Sequence, residues 1–480
     1  MNENSISRRS FLKLTLTMVG GVVVARCTPA PQPTPSQAPP TPLPVEPAIS
    51  DATYAEWVKS VASQEPIELR IVHWFDPNNP SENNQALMDY ATAQWKMRYP
   101  NGKINWELVG WGEIDQKTAG FVMANEAVDI SYNWGGATEN WCNSQLILPL
   151  DNQMPKWWLD TRVPDILKPP SNALCSDGRL AMAAFGLENQ CVVIRTDLLE
   201  QAGVDPASMT TYDGMLSGLR KMSGIAGFEK PYGLKLGADW STMDSISFFW
   251  LANGLTFGDF REDASEKDAW IEAAAFIKGL MELCPEAVLN WTWAEAEQAY
   301  CSGQIAAFDH GNWFYSVGKS LDPEGKIINA KSTGLIPYPY GPKKPDQKPF
   351  YSFSNTGFFL LKTSPEKNRQ AAVDLMAILS ETHTVWKHSD GTNPATTDGT
   401  TEERLKVASD KDIGWWWSAW DNVKKNASMV SYQGFLARDE IVGAAFPLIV
   451  SMFRGEIGPE QLYTQVRELA LPLIQAAKSS

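Results

Sequence analysis

The sequence predicts an α/β fold with a largely parallel sheet. Strand-like alternation and helix-like spacing take turns from residue 66 to residue 132, the pattern of βαβ units. The chain has 480 residues and 44% apolar content, too long for one compact core and rich enough to bury two or three. The second half carries several further stretches at helical spacing. No internal repeat is present.

The elements follow in order. Ile67-Glu68-Leu69-Arg70-Ile71-Val72 alternates like a strand. His73 to Pro80 is a polar loop with the turn dipeptides Asp76-Pro77 and Asn79-Pro80. A helix is expected from Ser81 to Arg98, with Ala86, Tyr90, Ala93 and Met97 on its apolar face. Ile104 to Val109 reads as a strand, Glu113 to Ala124 as a helix and Val128 to Tyr132 as a third strand. Later helices are expected over Asp197–Ala202, Tyr212–Met222, Asp244–Ala252, Lys267–Leu283, Trp293–Ser302, Gln370–Leu379, Glu440–Met452 and Pro459–Ala477.

The first 47 residues belong to targeting rather than to the fold. Ser7-Arg8-Arg9-Ser10-Phe11-Leu12-Lys13 is a full twin-arginine export signature, followed by the apolar stretch Leu14–Ala25 and by Cys27. Nine prolines lie between Pro29 and Pro47, giving an extended tether of about 3.1 Å per residue, and residues 51–64 suggest a short helix. Cys27 at the end of an export signal, with a Pro-rich tether behind it, resembles a bacterial lipoprotein. That resemblance implies a lipid anchor on Cys27 at the outer face of the cytoplasmic membrane. Arg26 stands where the lipoprotein pattern has a small residue, so a simple cleaved signal is the alternative.

Composition excludes several classes. The net charge is −15, and residues 1–26 carry +3, which leaves the remainder near −18. Nucleic acid needs a basic surface and is not an expected partner. Beyond the signal, no apolar run reaches the roughly 20 residues of a membrane span. Besides Cys27 there are five cysteines, Cys142, Cys175, Cys191, Cys284 and Cys301, so at least one is unpaired within the chain. There is no CxxC pair and there are four histidines, so neither a metal site nor a cofactor is expected. Twenty tryptophans suit a core, and they also suit carbohydrate, whose CH faces stack on flat rings.

Four passages are specific in combination. Val192 to Asp205 is similar to the strand-then-helix "YNKDLLEKAGV" passage of a known family, with Arg195 in place of Asn. Ala299 to Trp313 matches its "F-x-x-G-x-A-A-M-x-x-x-G-x-W" passage, with Phe308 in place of Met. Leu335-Ile336-Pro337-Tyr338-Pro339 with Ser354 to Leu361 resembles its next strand pair. Pro365-Glu366-Lys367-Asn368 leads into a helix as in the same family. Over residues 66–477 the chain thus resembles an extracellular solute-binding protein of the carbohydrate-importer class, the family that includes maltose-binding protein.

The resemblance implies a two-lobed periplasmic-binding-protein-like fold with a ligand cleft between the lobes. It implies lobe 1 over residues 66–188 plus 355–393 and lobe 2 over 189–354 plus 394–480. The crossings fall near Glu188–Cys191, Ser354–Asn355 and Asn393–Thr396. It implies a monomer that captures a carbohydrate and hands it to the permease subunits of an ABC importer. Loops at the carboxyl ends of parallel strands meet at such a crevice.

The candidate ligand residues are Trp74, Asp76 and Asn78 after the first strand, and Asn133 and Trp134 after the third, where Gly135-Gly136 would let the backbone approach a ligand. Glu188 and Gln190 lie on the first crossing and Asn355 on the second. Glu188 falls on the family position of an acidic sugar-binding residue, and a solvated hinge charge is the other reading. Asp309, His310 and Trp313 come from the x-x-x-G-x-W passage. Trp313 resembles the family's stacking aromatic, and for His310 a hydrogen-bonded loop histidine is the plainer reading. Trp240 is a further candidate near Asp244, and Trp250 belongs to the core. In Trp415-Trp416-Trp417-Ser418-Ala419-Trp420, helical spacing puts Trp416, and likewise Trp417, on one face with Trp420. Core is favoured there over a cleft wall.

Two alternatives stand beside the binding module. One is an exported carbohydrate-active enzyme with Asp76, Glu188 and Asp309 supplying an acid pair, although no Gly-x-Ser-x-Gly, His-Glu-x-x-His or Gly-rich phosphate loop is present. The other keeps the fold and binds a cationic solute.

Overall fold

The structure is a computed structural model that describes residues 53–77, 84–110, 113–169, 171–225, 227–228, 230–237, 241–260, 264–388, 393–394, 401–408, 410–431 and 437–479. Cys27, Asn78 and Trp240 lie outside the described residues, as do the signal and the Pro-rich tether.

Among the described residues eleven strands form one sheet. They are β1 (Glu68–His73), β2 (Lys103–Leu108), β3 (Ile130–Trp134), β4 (Ile147–Leu148), β5 (Met182–Arg195), β6 (Tyr232–Gly233), β7 (Ala307–Gly311), β8 (Thr333–Ile336), β9 (Phe350–Leu361), β10 (Asn393–Pro394) and β11 (Ser428–Ser431). The main path runs β2-β1-β3-β9-β5-β7-β6. The sheet is mixed, not largely parallel. β1 pairs in parallel with β2 and β3, β6 with β7, and β9 with β11. β9 and β5 are antiparallel to each other, to β3 and to β7. Local periodicity shows that a strand exists but not its direction in the sheet. Here the two long strands run against the βαβ order on either side.

β9 is buried along all twelve residues, and β5 is nearly so, as expected where helices cover both faces of a sheet. The apolar cores part in the middle of these strands. One core takes Met182 to Phe185 and Phe358 to Leu361 with residues earlier than 182 and with Ala371 to Leu379 and Val385. The other takes Cys191 to Ile194, Phe350 and Tyr351 with residues 198–470. Between them lie Glu188, Asn189, Gln190, Ser352, Ser354, Asn355 and Thr356, a polar middle without large apolar packing apart from Leu187 and Phe353.

The helices keep close to their expected ranges: Tyr212–Met222, Trp293–Cys301 and Pro459–Ser479 are examples. The helix Asn84–Arg98 differs in phase. It buries Leu87, Met88, Ala91, Trp95 and Arg98, while Ala93 and Met97 face out. Arg98 joins the buried face because Asp374 neutralises it: its Nε donates to Asp374 Oδ2 at 2.8 Å. Tyr99 OH donates to the same oxygen at 2.8 Å, and the Arg98 guanidinium lies 3.9 Å above the Trp57 ring. Trp250, Trp416, Trp417 and Trp420 are core residues.

Cys142 and Cys175 form a disulfide, and Cys191, Cys284 and Cys301 are free and buried. Among the described residues no helix is long and apolar enough to cross a membrane.

Candidate functional site

Strand register sorts the candidates. Opposed residues of an antiparallel pair share a face. Glu188 opposes Ser354, Gln190 opposes Ser352, and Trp134 opposes Thr356. Gln190 also opposes Gly311 on β7. One face of the ribbon therefore carries Trp134, Thr356, Glu188, Ser354, Gln190 and Gly311 in a row. Leu187 opposes Asn355 and Asn393, and Asn133 opposes Gly357, so Asn133 and Asn355 fall on the other face.

The first face ends in tryptophan on both sides. Trp134 and Asn133 are the last two residues of β3 and do not follow it. The half-buried Trp134 ring packs against both cores. A side chain at Gly136 would meet that ring at 2.3 Å, and one at Gly135 would meet Asn172 at 2.3 Å. The two glycines thus make room for protein groups, which corrects the ligand-approach expectation. Likewise a Gly311 side chain would strike the Trp313 ring at 1.8 Å. Trp313's own indole takes the space expected for a ligand. Trp313 also meets His310 (5.2 Å between rings) and Trp293 (5.7 Å).

Between the tryptophans the groups are polar. Thr356 Oγ1 donates to Glu188 Oε1 at 3.1 Å. Gln190 is 8% exposed, and its Oε1 is buried with no hydrogen-bond partner among the described residues. On the other face, Asn355 is fully buried and donates through N and Nδ2 to Asn172 Oδ1 at 3.1 and 2.7 Å. Asn355 Oδ1 and Asn172 Nδ2 take no partner among the described residues. Asn133 Nδ2 donates to Asp115 Oδ1 at 2.6 Å. Trp74 packs beside Tyr132 (6.1 Å), and the Asp76 carbonyl accepts from Asn84 Nδ2 at 3.1 Å.

Asp309 and His310 sit differently from expectation. Both are wholly buried strand residues of β7. Lys235 Nζ, also fully buried, donates to Asp309 Oδ2 at 2.8 Å and to its carbonyl at 3.0 Å. The same ammonium lies 4.0 Å from the Trp293 ring centre. A buried carboxylate held this way is neutralised inside the protein. His310 is a strand residue rather than a loop one: Nδ1 accepts the Gly311 N–H at 2.8 Å and Nε2 lies 2.8 Å from Glu297 Oε1. Burial lowers its pKa, against the opposing pull of Glu297.

Sequence reasoning missed four residues here. Lys235 lies between Leu234 and Leu236, and a lone cation in an apolar run is a signal that could have found it. Trp293 stands inside the Thr292–Glu295 capping box as the first residue of its helix, a local signature that marks a helix start. Asn172 and Arg438 carry no sequence signal. The Arg438 guanidinium lies 5.5 Å from the Trp134 ring centre. It opens the helix Arg438–Phe453, so the contact reaches Trp134 from the other core.

Two α/β lobes whose cores part along a polar ribbon, with aromatic groups at both ends of it, define a solute-binding protein. The pattern of the family described as bacterial extracellular solute-binding protein matches residues 78–381. The chain belongs to that family. Its fold is similar to that of maltose-bound MalE3 of T. maritima (TM-score 0.64, 14% identity, 84% of this chain and 99% of that one). It is similar as well to a chitin oligosaccharide binding protein (TM-score 0.66, 16% identity, 87% and 100%). A third similar fold is the cyclic alpha-maltosyl-1,6-maltose binding protein from Arthrobacter globiformis (TM-score 0.63, 16% identity, 86% and 100%). No curated protein matches the chain in sequence.

Proposed function

We propose that this protein captures a carbohydrate, an oligosaccharide, in the cleft between its lobes and delivers it to an ABC importer by lobe closure, with no chemistry of its own. The observation that carries the proposal is the ribbon face: Glu188, Ser354 and the unpartnered Gln190 Oε1 between Trp134 and Trp313. Flat apolar rings flanking short polar groups suit the two sides of a sugar. The proteins of similar fold bind maltose, chitin oligosaccharide and a cyclic maltosyl-maltose. Lobe 1 over 66–188 plus 355–393 and lobe 2 over 189–354 plus 394–480 would hinge at the polar middle of β5 and β9. Neutralisation of Asp309 by Lys235 speaks against an acid pair that includes Asp309.

We place Trp74, Trp134, Glu188, Gln190 and Trp313 in the ligand shell, with Asn133 and Asn355 on the reverse of the ribbon as supports. The twin-arginine signature, Cys27 and the Pro-rich tether support a further part of the proposal, a lipid anchor that holds the chain at the outer face of the cytoplasmic membrane.

A thermal-shift screen over neutral oligosaccharides, iron complexes and polyamines tests the function. A ligand that binds only the native state adds about 2.7 kcal/mol of stability at a hundred times its Kd. A neutral oligosaccharide is expected to raise Tm. A rise with polyamine or iron alone overturns the proposal.

A further inference from the structure

Lys235 is wholly buried, and so are Leu234 and Leu236 on either side of it. A buried ion pair adds little stability over apolar residues of the same size, because both charges lose their water. The fold nevertheless holds Lys235 and Asp309 together at zero exposure. What the pair gains is direction. The Asp309 carboxylate and carbonyl accept from the ammonium at 2.8 and 3.0 Å, which fixes where the charge stands. From there it lies 4.0 Å from the centre of the Trp293 ring. A cation is attracted to the face of an indole rather than to its edge, so the contact orients the ring as well as holding it.

Trp293 opens the helix Trp293–Cys301. The same helix is tied to β7 one turn further on, where Glu297 Oε1 lies 2.8 Å from His310 Nε2. Residues four apart share a side of a helix, so Trp293 and Glu297 face β7 together. Trp293 meets the His310 ring edge to face at 4.8 Å. The half-buried Trp293 ring then stands 5.7 Å from that of Trp313, tilted by 56°. Trp313 itself lies over Gly311 and 5.2 Å from His310. Direct contacts therefore run in sequence from Asp309 to Lys235, from Lys235 to Trp293 and from Trp293 to Trp313.

We propose, on the carbohydrate reading above, that Lys235 is a positioning residue for the cleft. With Asp309 it fixes the ring of Trp293, and Trp293 sets the angle at which Trp313 meets a sugar. The buried charge acts on the ligand only through these two rings.

Calorimetric titration of the whole protein with linear malto- and chito-oligosaccharides tests this. Lys235→Met with Asp309→Leu removes the pair without leaving a lone charge, so the double variant is expected to fold with a Tm close to that of wild type. Its affinity should nevertheless fall roughly tenfold. Introduced into Trp313→Ala, the same two changes should cause no further loss, because a residue that acts through Trp313 then has nothing to position. Trp293→Phe, which keeps a ring face for the ammonium, should bind better than Trp293→Leu. These two variants decide the matter if the double variant folds poorly. A folded double variant that binds like wild type overturns the proposal. So does a loss of the same size in the Trp313→Ala background, or equal affinity of Trp293→Phe and Trp293→Leu. Each of these outcomes leaves carbohydrate capture standing. No binding by wild type to any of the sugars overturns both.

Discussion

At the residue scale, Trp313 and His73 separate ligand binding from folding. Trp313 is half-buried, with its indole over Gly311 and against His310 and Trp293. If its open face stacks on sugar, Trp313→Ala should weaken binding by about 2–3 kcal/mol, roughly 30- to 150-fold. Calorimetry on the folded variant checks this, and unchanged affinity would shift the stacking role to Trp134 and Trp74. His73 is fully buried, and its Nδ1 accepts the Phe75 N–H at 3.1 Å. Burial lowers its pKa from 6.5 to about 4. The folded value lies below the unfolded one, so the proton binds more tightly to the unfolded chain. The stabilisation is complete above pH 6.5 and is lost as pH falls from 6.5 towards 4. In denaturant unfolding, the advantage of wild type over His73→Leu should shrink by about 2–3 kcal/mol across that window. The raised pKa of the buried Asp374 works the other way in both proteins and cancels in the difference. A pH-independent difference would refute the assignment.

At the element scale, the segment that carries Asn172 is held from two directions. The Cys142–Cys175 disulfide closes a loop with a sequence separation of 33. Thr138 Oγ1 donates to the Asn172 carbonyl at 2.6 Å, and Asn172 in turn holds the backbone and side chain of Asn355. Closing a loop of this length contributes about 3–4 kcal/mol. Cys142→Ser with Cys175→Ser should therefore lower Tm clearly, which a calorimetric scan will show. An unchanged Tm would mean that the packing of Trp141 and its neighbours holds the segment unaided. The elements themselves were legible: Tyr212–Met222 coincides with its expected span because an amphipathic helix announces itself locally. The phase of Asn84–Arg98 was not legible, because Arg98 becomes a core residue only through Asp374, far away in the chain.

At the scale of the whole molecule, closure of the lobes is a measurable shape change. On the proposed reading, ligand binding would stabilise the closed form through contacts with both lobes. X-ray scattering should give a smaller radius of gyration with a cognate oligosaccharide than without it. An unchanged radius with a confirmed ligand would argue for a rigid pair of lobes. The anchor is tested separately, by mass spectrometry of the native N-terminus. A lipid-modified Cys27 is expected, and a mature chain that begins elsewhere and is released to the medium would overturn it. Arg26 beside Cys27 makes this measurement informative. The two-lobed architecture was legible only because four passages stood in the order of a known family. Alternation alone suggested a largely parallel sheet and missed the antiparallel run of β5 against β9.

Short elements such as Thr138–Asn143, Phe314–Leu321 and Ser428–Ser431 went unread, while the sequence by itself determined the α/β class, the first three strands and most of the longer helices, the export signature and the family passages. These rest on local spacing, which the backbone reads within a few residues. Only the tertiary structure decided which candidates share a face: Trp134, Glu188 and Gln190 on one side of the ribbon, Asn133 and Asn355 on the other. It also decided that Lys235 neutralises Asp309 and that Arg438 meets Trp134. Those outcomes depend on strand register and on burial of charge between segments far apart in the chain. A single step of register reverses every side chain, and a buried charge is tolerated only where its partner arrives.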